Sequence, residues 1–347
     1  MTTSALYDAI ERRRAFFGPV LTIVGHHYQS DEVIRHTDLR GDSLELARRT
    51  AQVESEFIVF CGVYFMAESA ALLAREGQKV YLPEPSAECS MAMMSPAPLL
   101  DFVLQKLCTG GRKVVPLAYV NSTLAVKAVV GEYGGAVCTS ANAQTMMRWA
   151  RERGDAVLFL PDKNLGNNTA DVLGIPESDR HIISLKGKGE NLDLTAASSA
   201  SLLLWPGSCS IHTRFNIRQI ERMRTEYPGV LVVVHPECSP AVVKASDAAG
   251  STSFIIKYAA EAPEGSTVVI GTEINLVERL AEQHKGRIRI LPLVESACTH
   301  MAQTTEERLG AALDALAEGR QDFLVRIGNE LKEPARASLE RMLAACS

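Results

Sequence analysis

Residues 233–239 read VVHPECS and place three reactive side-chain types directly after an apolar run. The run VLVVV has the composition of a buried strand, and His235, Glu237 and Cys238 follow it closely. An imidazole beside a carboxylate can transfer protons, and a thiolate can bind a metal. The sequence therefore raises the question of which of these side chains carries chemistry.

The same kind of strand end occurs once in each third of the chain. GHHYQ contains His26 and Tyr28, AYVNS contains Tyr119 and Asn121, and VHPEC contains His235. Later in each third a small hydroxyl residue lies beside Gly or Thr, and a lone cysteine follows the last apolar run. The hydroxyl residues are Ser43, Ser140 and Thr252, and the cysteines are Cys89, Cys209 and Cys298. This recurring order indicates an internal repeat.

The intervals between these residues support the repeat. In the first and last thirds, the hydroxyl residue follows the strand-end histidine by 17 residues and the cysteine follows it by 63. The middle third is longer, because 69 residues separate Ser140 from Cys209 against 46 in the other thirds. We place the 23 extra residues within 167–200 and expect a surface insertion there.

Three equivalent cysteines predict a metal site. Around a common axis Cys89, Cys209 and Cys298 would converge, and three thiolates at one point bind a metal rather than attack a substrate. Zinc with an open fourth position and a [4Fe-4S] cluster with one open iron both suit three thiolates, and spacing does not distinguish them. Cys238 lies outside the repeated position, and no CxxC pair occurs in the sequence.

The other repeated side chains suit small anionic substrates. We expect Ser43, Ser140 and Thr252 at helix N-termini, where unpaired backbone N–H groups favour carboxylate or phosphate. Strand-end imidazole, phenol and amide groups add hydrogen bonds and proton-transfer capacity. They belong to His26, Tyr28, Tyr119, Asn121 and His235. Glu237, two residues from His235, is expected to act as a base or to orient one.

These side chains need strands that end at one edge of a sheet. Near-continuous apolar runs alternate with amphipathic segments, which predicts parallel sheets covered by helices on both faces. The predicted strands cover 20–25, 57–63, 79–82, 113–120, 135–140, 156–160, 201–205, 230–234, 252–256, 267–271 and 288–294. We expect an α/β fold of three αβα units around a pseudo-threefold axis. The units are 1–110, 111–226 and 227–302, with C-terminal helices in 303–347 packing on the first.

Composition narrows the class of protein. The chain of 347 residues has a net charge of −5, which gives no basic surface for nucleic acid. No apolar stretch approaches the ~20 residues that cross a bilayer, and the N-terminus has no signal-peptide pattern. A cytoplasmic protein with reduced thiols is therefore expected, without membrane or nucleic-acid partners. Neither the GxGxxG pattern nor the P-loop pattern occurs, which disfavours a dinucleotide-binding dehydrogenase.

The series of motifs resembles the quinolinate synthase family of bacterial NAD biosynthesis. HHYQ, GDSLELA, CGVYFMAE, CSMA, YVNS, TSANA, LPDKNLG, WPGSCSIH, HPEC, GSTS and IGTE occur in order between about residues 20 and 301. The resemblance implies three αβα domains around a [4Fe-4S] cluster with ligands Cys89, Cys209 and Cys298. It also implies condensation of iminoaspartate with dihydroxyacetone phosphate to quinolinate, phosphate and water, with an open iron acting as a Lewis acid.

The resemblance also assigns roles to the strand-end residues. It implies substrate binding by His26, Ser43, Tyr119, Asn121, Ser140, His235, Glu237 and Thr252. Proton transfer is implied for Tyr28 and Glu237, and we include His235 with them in the expected catalytic set. A monomer or homodimer is expected, with a transient link to the L-aspartate oxidase or dehydrogenase that supplies iminoaspartate.

Two other functions stay open at this point. One is a three-cysteine zinc lyase or hydrolase acting on small phosphorylated substrates, and the other is a non-enzymatic iron–sulfur sensor. A sensor would need an output surface such as a basic helix-turn-helix, which the net charge disfavours. His212, three residues after Cys209, is undecided between a role beside the metal and a structural role, and Met301 is interpreted as packing.

Overall fold

The structure is a computed structural model that describes residues 3–187, 189–190 and 192–346. The strands are β1 Leu21–His26, β2 Leu39–Gly41, β3 Phe57–Cys61, β4 Lys79–Tyr81, β5 Val114–Tyr119, β6 Ala136–Cys138, β7 Ala156–Leu160, β8 Arg180–Ile182, β9 Leu202–Leu204, β10 Leu231–Val234, β11 Ala248–Ala249, β12 Thr267–Gly271 and β13 Arg289–Pro292. The helices are α1 Thr3–Phe17, α2 Asp31–Ile34, α3 Ser43–Thr50, α4 Tyr64–Leu73, α5 Ala97–Leu107, α6 Leu124–Glu132, α7 Ala143–Arg151, α8 Lys163–Val172, α9 Leu194–Ser199, α10 Ile217–Glu226, α11 Pro240–Ala245, α12 Thr252–Glu261, α13 Ile274–Gln283, α14 Glu306–Ala317 and α15 Asn329–Ala345.

The strands form three short sheets that are parallel throughout, as apolar strands buried on both faces predict. The first sheet has the order β2-β1-β3-β4 and the second β6-β5-β7-β9-β8. Leu21 of β1 lies opposite Phe57 of β3, and Val114 of β5 lies opposite Ala156 of β7. In the third sheet β10 pairs with β11, and β12 pairs with β13. The predicted α/β class is confirmed.

The chain divides into two compact units. The first contains Met1–Cys89 and Ile256–Ile327, and the second contains Ser90–Ile255 and Gly328–Ser347. Each has an apolar core around its strands, with Ile23 fully buried in the first core and Trp205 fully buried in the second. The boundaries predicted for three units stay predictions, because they divide the chain by repeat and not by compactness.

One predicted strand is wrong. Residues 252–256, TSFII, begin helix α12. Their β-branched side chains favour a strand, but Ser251 Oγ accepts a hydrogen bond from the Phe254 N–H at 3.3 Å and caps a helix instead. Strands β2, β8 and β11 were not predicted, because their short sequences LRG, RHI and AA contain no run of large apolar residues.

The extra residues of the middle third build secondary structure. Within 167–200, the described residues include β8 and α9. β8 pairs with β9, with His181 opposite Leu203, and adds a fifth strand at the edge of the second sheet. The predicted insertion therefore contributes an edge strand to the second sheet, in addition to residues that connect the elements.

The two C-terminal helices pack on different elements. Helix α14 lies against α1, whereas α15 lies against α6 and β6 of the second unit. Arg341 of α15 donates hydrogen bonds to the carbonyls of Gly131 and Gly135 at 3.1 and 2.6 Å. The expectation that both helices pack on the first unit is therefore wrong for α15. The cause is local, because Gly131 has no side chain and lets the carbonyl of Pro334 lie directly against α6.

Among the described residues, no helix combines the length and the apolar character that crossing a membrane requires. The longest helix, α15, has 17 residues and carries several charges along its length. The elements that matter for the site are instead the strand ends and the helices that begin beside them.

Candidate active site

The loops that carry the three repeated cysteines are fastened in the same way. In each, the first residue of a helix donates its N–H to the carbonyl two residues before the cysteine. The pairs are Tyr64 to Ala87 at 2.8 Å, Lys163 to Gly207 at 3.0 Å and Ile274 to Ser296 at 3.1 Å. A short 3-10 turn begins three residues after each cysteine, at Ala92, His212 and Met301. The backbone thus gives the three cysteines equivalent positions, and their role as ligands stays a prediction.

Burial separates these cysteines from three of the other five, since Cys108 and Cys346 are also partly exposed. All eight cysteines lie in the described part of the chain, and none forms a disulfide. The three repeated ones are partly exposed, whereas Cys61, Cys138 and Cys238 are buried. Burial raises the pKa of Cys61 to about 12 and also raises the pKa values of Cys138 and Cys238. A thiol held in its protonated form is a poor metal ligand, which argues against Cys238 as one.

Acidic residues cap two of the helices and also hold the cysteine loops. Asp162 caps α8 and accepts the N–H of Cys209 at 3.0 Å. Glu273 caps α13 and accepts the N–H of Cys298 at 3.3 Å. Burial raises the pKa of Glu273 to about 7, against the hydrogen bonds that lower it. In the first repeat Val63 precedes the helix, so this carboxylate contact belongs to two repeats only.

Glu237 is the centre of a buried group in the second unit. Its Oε2 lies 2.7 Å from His212 Nδ1, and its Oε1 lies 4.0 Å from His235 Nδ1. The two imidazole rings stack with centroids 4.4 Å apart and planes inclined by 17°. Cys209, His212 and Glu237 each offer a ligand atom, and these atoms all lie within 4.8 Å of one another. The group can therefore both ligate a metal and move a proton.

The surroundings of Glu237 keep it ionised. Burial raises the pKa of its carboxyl, but the electrostatic interaction with His212 and His235, with hydrogen bonds from His212 and Tyr119, brings that pKa well below its usual range. Burial and the charge of Glu237 raise the pKa of Asp162 above its ordinary value. Opposite shifts in neighbouring carboxyls separate their roles. Glu237 is the ionised member of the pair, whereas Asp162, which accepts the N–H groups of Leu165 and Cys209, is the member whose protonated form is favoured.

Further predicted substrate-binding residues lie in the same unit. Tyr119 ends β5 and hydrogen-bonds to Glu237. Asn121 follows it, and its buried Oδ1 has no hydrogen-bond partner among the described residues. A buried acceptor without a partner is costly unless a ligand supplies the donor. Thr252 is buried at the start of α12, while Ser140 is partly buried three residues before α7.

The first unit brings His26 and Tyr28 together. His26 ends β1 and its Nδ1 accepts the Tyr28 N–H at 3.1 Å, while the two rings meet edge-on with centroids 4.7 Å apart. The Tyr28 hydroxyl lies 2.8 Å from Thr272 Oγ1, just after β12. Ser43 is the first residue of α3, and the carboxylate of Asp42 accepts a hydrogen bond from that helix turn. Ser43 and Thr252 thus begin helices, as predicted.

His212 is the residue that sequence reasoning left undecided. The structure places its ring between Glu237 and His235 through one hydrogen bond and one stacking contact. The available signal was its position three residues after Cys209. That signal was weak, because the contact with Glu237 depends on how two distant loops fold together.

Three further residues near these groups have clear positions. Asp162 and Thr272 lie within the motifs LPDKNLG and IGTE, which drew attention to the segments but not to these side chains. Met301 accepts hydrogen bonds from Gln29 Nε2 at its carbonyl, 3.1 Å away, and at its sulfur, 3.4 Å away. This contact agrees with a packing role for Met301.

The fold is α/β with parallel sheets, and the imidazole, carboxylate and thiol groups follow its strands, so the candidate site lies at the carboxyl ends of the strands, where α/β enzymes have their active sites. The family described as "Quinolinate synthetase A protein" matches residues 11–344, and the chain belongs to this family. The resemblance drawn from the motifs is therefore confirmed.

Curated relatives extend the similarity over nearly the whole chain. The quinolinate synthase of Acidobacterium capsulatum is 42% identical over 343 residues, which cover 97% of this chain and 92% of the relative. That of Corynebacterium glutamicum is 43% identical over 343 residues, covering 98% and 87%. That of Streptomyces coelicolor is 42% identical over 347 residues, covering 97% and 88%. The predicted enzyme is thus confirmed at the level of the family.

Proposed function

We propose that this enzyme forms quinolinate for NAD biosynthesis by condensing iminoaspartate with dihydroxyacetone phosphate, with release of phosphate and water. The observation that carries the proposal is the group of Cys209, His212 and Glu237, in which a partly exposed thiol that could bind a metal lies beside a buried histidine–glutamate pair that could transfer a proton. The relatives named quinolinate synthase supply the product. The two substrates follow from the resemblance of the motifs.

The donor chemistry fits the proposed [4Fe-4S] cluster. The proposed ligands Cys89, Cys209 and Cys298 are partly exposed thiols at equivalent loop positions, unlike the buried core cysteines. Thiolate is the ligand that iron–sulfur clusters take, and three thiolates leave one iron open. Such a cluster would supply a Lewis acid for a substrate oxygen. Because Glu237 and His212 lie within 4.8 Å of the Cys209 ligand atom, they can serve a substrate held there.

The side chains around Glu237 have distinct tasks in this reaction. Glu237 stays ionised and accepts a proton or orients His212 and His235, which transfer one. The unpartnered Oδ1 of Asn121 accepts a hydrogen bond from substrate N–H or O–H. Tyr119 orients the Glu237 carboxylate through its hydroxyl. Binding and proton transfer are thus supported by one buried set of residues.

The helix starts suit the anionic parts of the substrates. Ser43 begins α3 and Thr252 begins α12, and Ser140 precedes α7. Backbone N–H groups and the dipole at a helix N-terminus favour phosphate and carboxylate. In the first unit, His26 and the Tyr28 hydroxyl add a second place for proton transfer. The cytoplasmic location, the oligomeric state and the link to the enzyme that makes iminoaspartate stay predictions.

A mononuclear metal enzyme is a second candidate. Cys209, His212 and Glu237 offer one sulfur, one nitrogen and one oxygen ligand in a compact group. Three mixed ligands with an open fourth position are the pattern of catalytic zinc sites. This arrangement would use one repeated cysteine and leave the other two without a metal role.

An anaerobic assay tests the proposal. Protein purified without oxygen is given dihydroxyacetone phosphate and freshly generated iminoaspartate, and quinolinate and bound iron are measured in the same sample. We expect quinolinate in proportion to iron and a brown protein. Iron-loaded protein that makes no quinolinate would overturn the proposed function. A colourless, zinc-containing and fully active protein would overturn the iron–sulfur cluster and favour a zinc enzyme instead.

A further inference from the structure

Helix α8 holds the loop that carries His235 and Glu237. The Asn168 amide donates to the carbonyls of Pro236 and Cys238, both at 2.8 Å, and the Asn164 amide donates to the carbonyl of Glu237 at 3.2 Å. Three consecutive carbonyls are thus bound by two side chains of one helix. We call these two asparagines the α8 clamp.

Helix α13 holds the loop that carries His26 and Tyr28 in the same way. The Arg279 guanidinium donates to the carbonyls of His27 and Gln29, at 2.8 and 2.6 Å. The Asn275 amide donates to the carbonyl of Tyr28 at 3.1 Å. Asn275 and Arg279 are called the α13 clamp.

The two clamps occupy equivalent positions. Each uses the second and the sixth residue of its helix, since α8 begins at Lys163 and α13 at Ile274. Because His235 corresponds to His26 in the repeat, carbonyls 236–238 correspond to carbonyls 27–29. The second residue is asparagine in both helices, whereas the sixth is an amide in one and a guanidinium in the other. Different donors that bind the same carbonyls indicate that the geometry is what matters.

Asn168 is positioned for donation. It is buried, its Nδ2 makes both carbonyl contacts, and its buried Oδ1 has no partner among the described residues. Buried carbonyls need donors, and a strand end has lost those of its sheet. An apolar residue at this place would leave two carbonyls of the loop unsatisfied, which costs free energy.

Each clamped loop fixes one histidine in the same protonation form. The Glu237 N–H donates to His235 Nδ1 at 3.3 Å, and the Tyr28 N–H donates to His26 Nδ1 at 3.1 Å. A ring nitrogen that accepts a hydrogen bond carries no proton, so the neutral ring carries it on Nε2. The loop backbone therefore presents Nε2 as the donor nitrogen of both imidazoles.

We propose that the α8 and α13 clamps hold the two loops so that the rings of His235 and His26 each keep Nδ1 as a hydrogen-bond acceptor and present Nε2–H as a hydrogen-bond donor in a fixed orientation. The four clamp residues are positioning residues, since they act through the loops. The role of the histidines in the reaction rests on the proposed function, whereas the clamps and the tautomers do not.

Nitrogen-15 NMR of the metal-free protein tests the tautomers. The ring signals of the two histidines are assigned with His26→Gln and His235→Gln. We expect the Nε2-protonated pattern for both in the wild type. Asn168→Asp removes the amide donor at nearly constant volume and should abolish that pattern for His235 while His26 keeps it. Arg279→Lys should do the reverse, because one ammonium group cannot serve two separated carbonyls as the guanidinium fork does.

Control variants and activity measurements distinguish a positioning role of the clamps from a general effect on protein stability. Asn164→Ala, which removes only the middle donor, serves if Asn168→Asp does not fold. Ser69→Ala changes the sixth residue of α4, whose hydroxyl donates to the Phe65 carbonyl inside its own helix, and should leave both signals unchanged. In iron-loaded enzyme the clamp variants should keep wild-type iron while kcat falls about 10- to 100-fold, as misplaced catalytic groups do.

Several outcomes would overturn the inference. They are unchanged signals in both clamp variants, an Nδ1-protonated wild type, or identical changes at both histidines in each variant. The NMR test does not depend on the proposed function. If the wild type makes no quinolinate, the proposed function fails, but the NMR signals of the two histidines still decide whether the clamps act as inferred.

Discussion

Glu237 owes its charge to two imidazoles that reach it from different loops. Burial alone would favour the protonated carboxyl, and the neighbouring His212 and His235 reverse that preference. The sequence indicated Glu237 and His235 because they follow an apolar run, and it indicated His212 only weakly. Pairing His212 with Glu237 requires a contact across 25 residues of chain, which no local pattern encodes.

Removing the charge of Glu237 tests its role in proton transfer. Glu237→Gln keeps the side-chain volume but cannot take a proton, so we expect turnover to fall about 100-fold or more, the usual effect of losing a general base. Iron per chain should stay at the wild-type level. Steady-state kinetics and iron analysis measure both quantities. Glu221→Gln, at an exposed site on α10, is the matched control. Near-normal turnover of Glu237→Gln would remove Glu237 from the catalytic set.

At the scale of elements, strands with a continuous apolar run were predictable, whereas β2, β8 and β11, which have no such run, were not. Continuous apolar runs such as 156–160 give an unambiguous pattern, and the structure has β7 at those residues. Residues 252–256 have the same composition, but a hydroxyl cap at Ser251 makes them helical. The repeat itself indicated a helix at Thr252, because the equivalent residue Ser43 also begins a helix. Equivalence between repeats is therefore better evidence here than local β propensity.

The packing of α15 on α6 depends on a glycine. A Cβ at Gly131 would lie 1.9 Å from the carbonyl oxygen of Pro334, so Gly131→Ala must displace the C-terminal helix. We expect the free energy of unfolding to fall by about 1–3 kcal/mol, the usual cost of overpacking. Thermal and urea unfolding followed by circular dichroism measure the change.

Gly310→Ala in α14 is the matched control for this change. Its Cβ would meet Leu6 and Ile10 at ordinary contact distances of 3.4 and 3.6 Å. Alanine is favoured over glycine inside a helix by about 1 kcal/mol, so this variant should be as stable as the wild type or more stable. Equal stability of the two alanine variants would contradict the proposed contact.

At the scale of the whole molecule, the repeat was predictable because three intervals agree between distant segments. The structure adds three equivalent backbone contacts before the cysteines and three equivalent 3-10 turns after them. The packing of α15 on α6 was not predictable, because it depends on Gly131 having no side chain where α15 lies against α6. Sequence periodicity thus locates repeated parts, whereas an element outside the repeat is placed by tertiary contacts.

The three repeated cysteines are 120 and 89 residues apart in sequence, and their common function is a prediction about the entire chain. If they bind one iron–sulfur cluster, Cys89→Ser, Cys209→Ser and Cys298→Ser should each lose iron, the brown absorbance and activity together. Cys238→Ser should keep all three, because Cys238 is buried and outside the repeated position. Iron analysis and visible spectra of anaerobically purified variants give the comparison.

A mononuclear site at Cys209, His212 and Glu237 predicts a different pattern, in which only Cys209→Ser among these variants loses the metal. Full metal content in Cys89→Ser and Cys298→Ser would therefore refute the three-cysteine cluster.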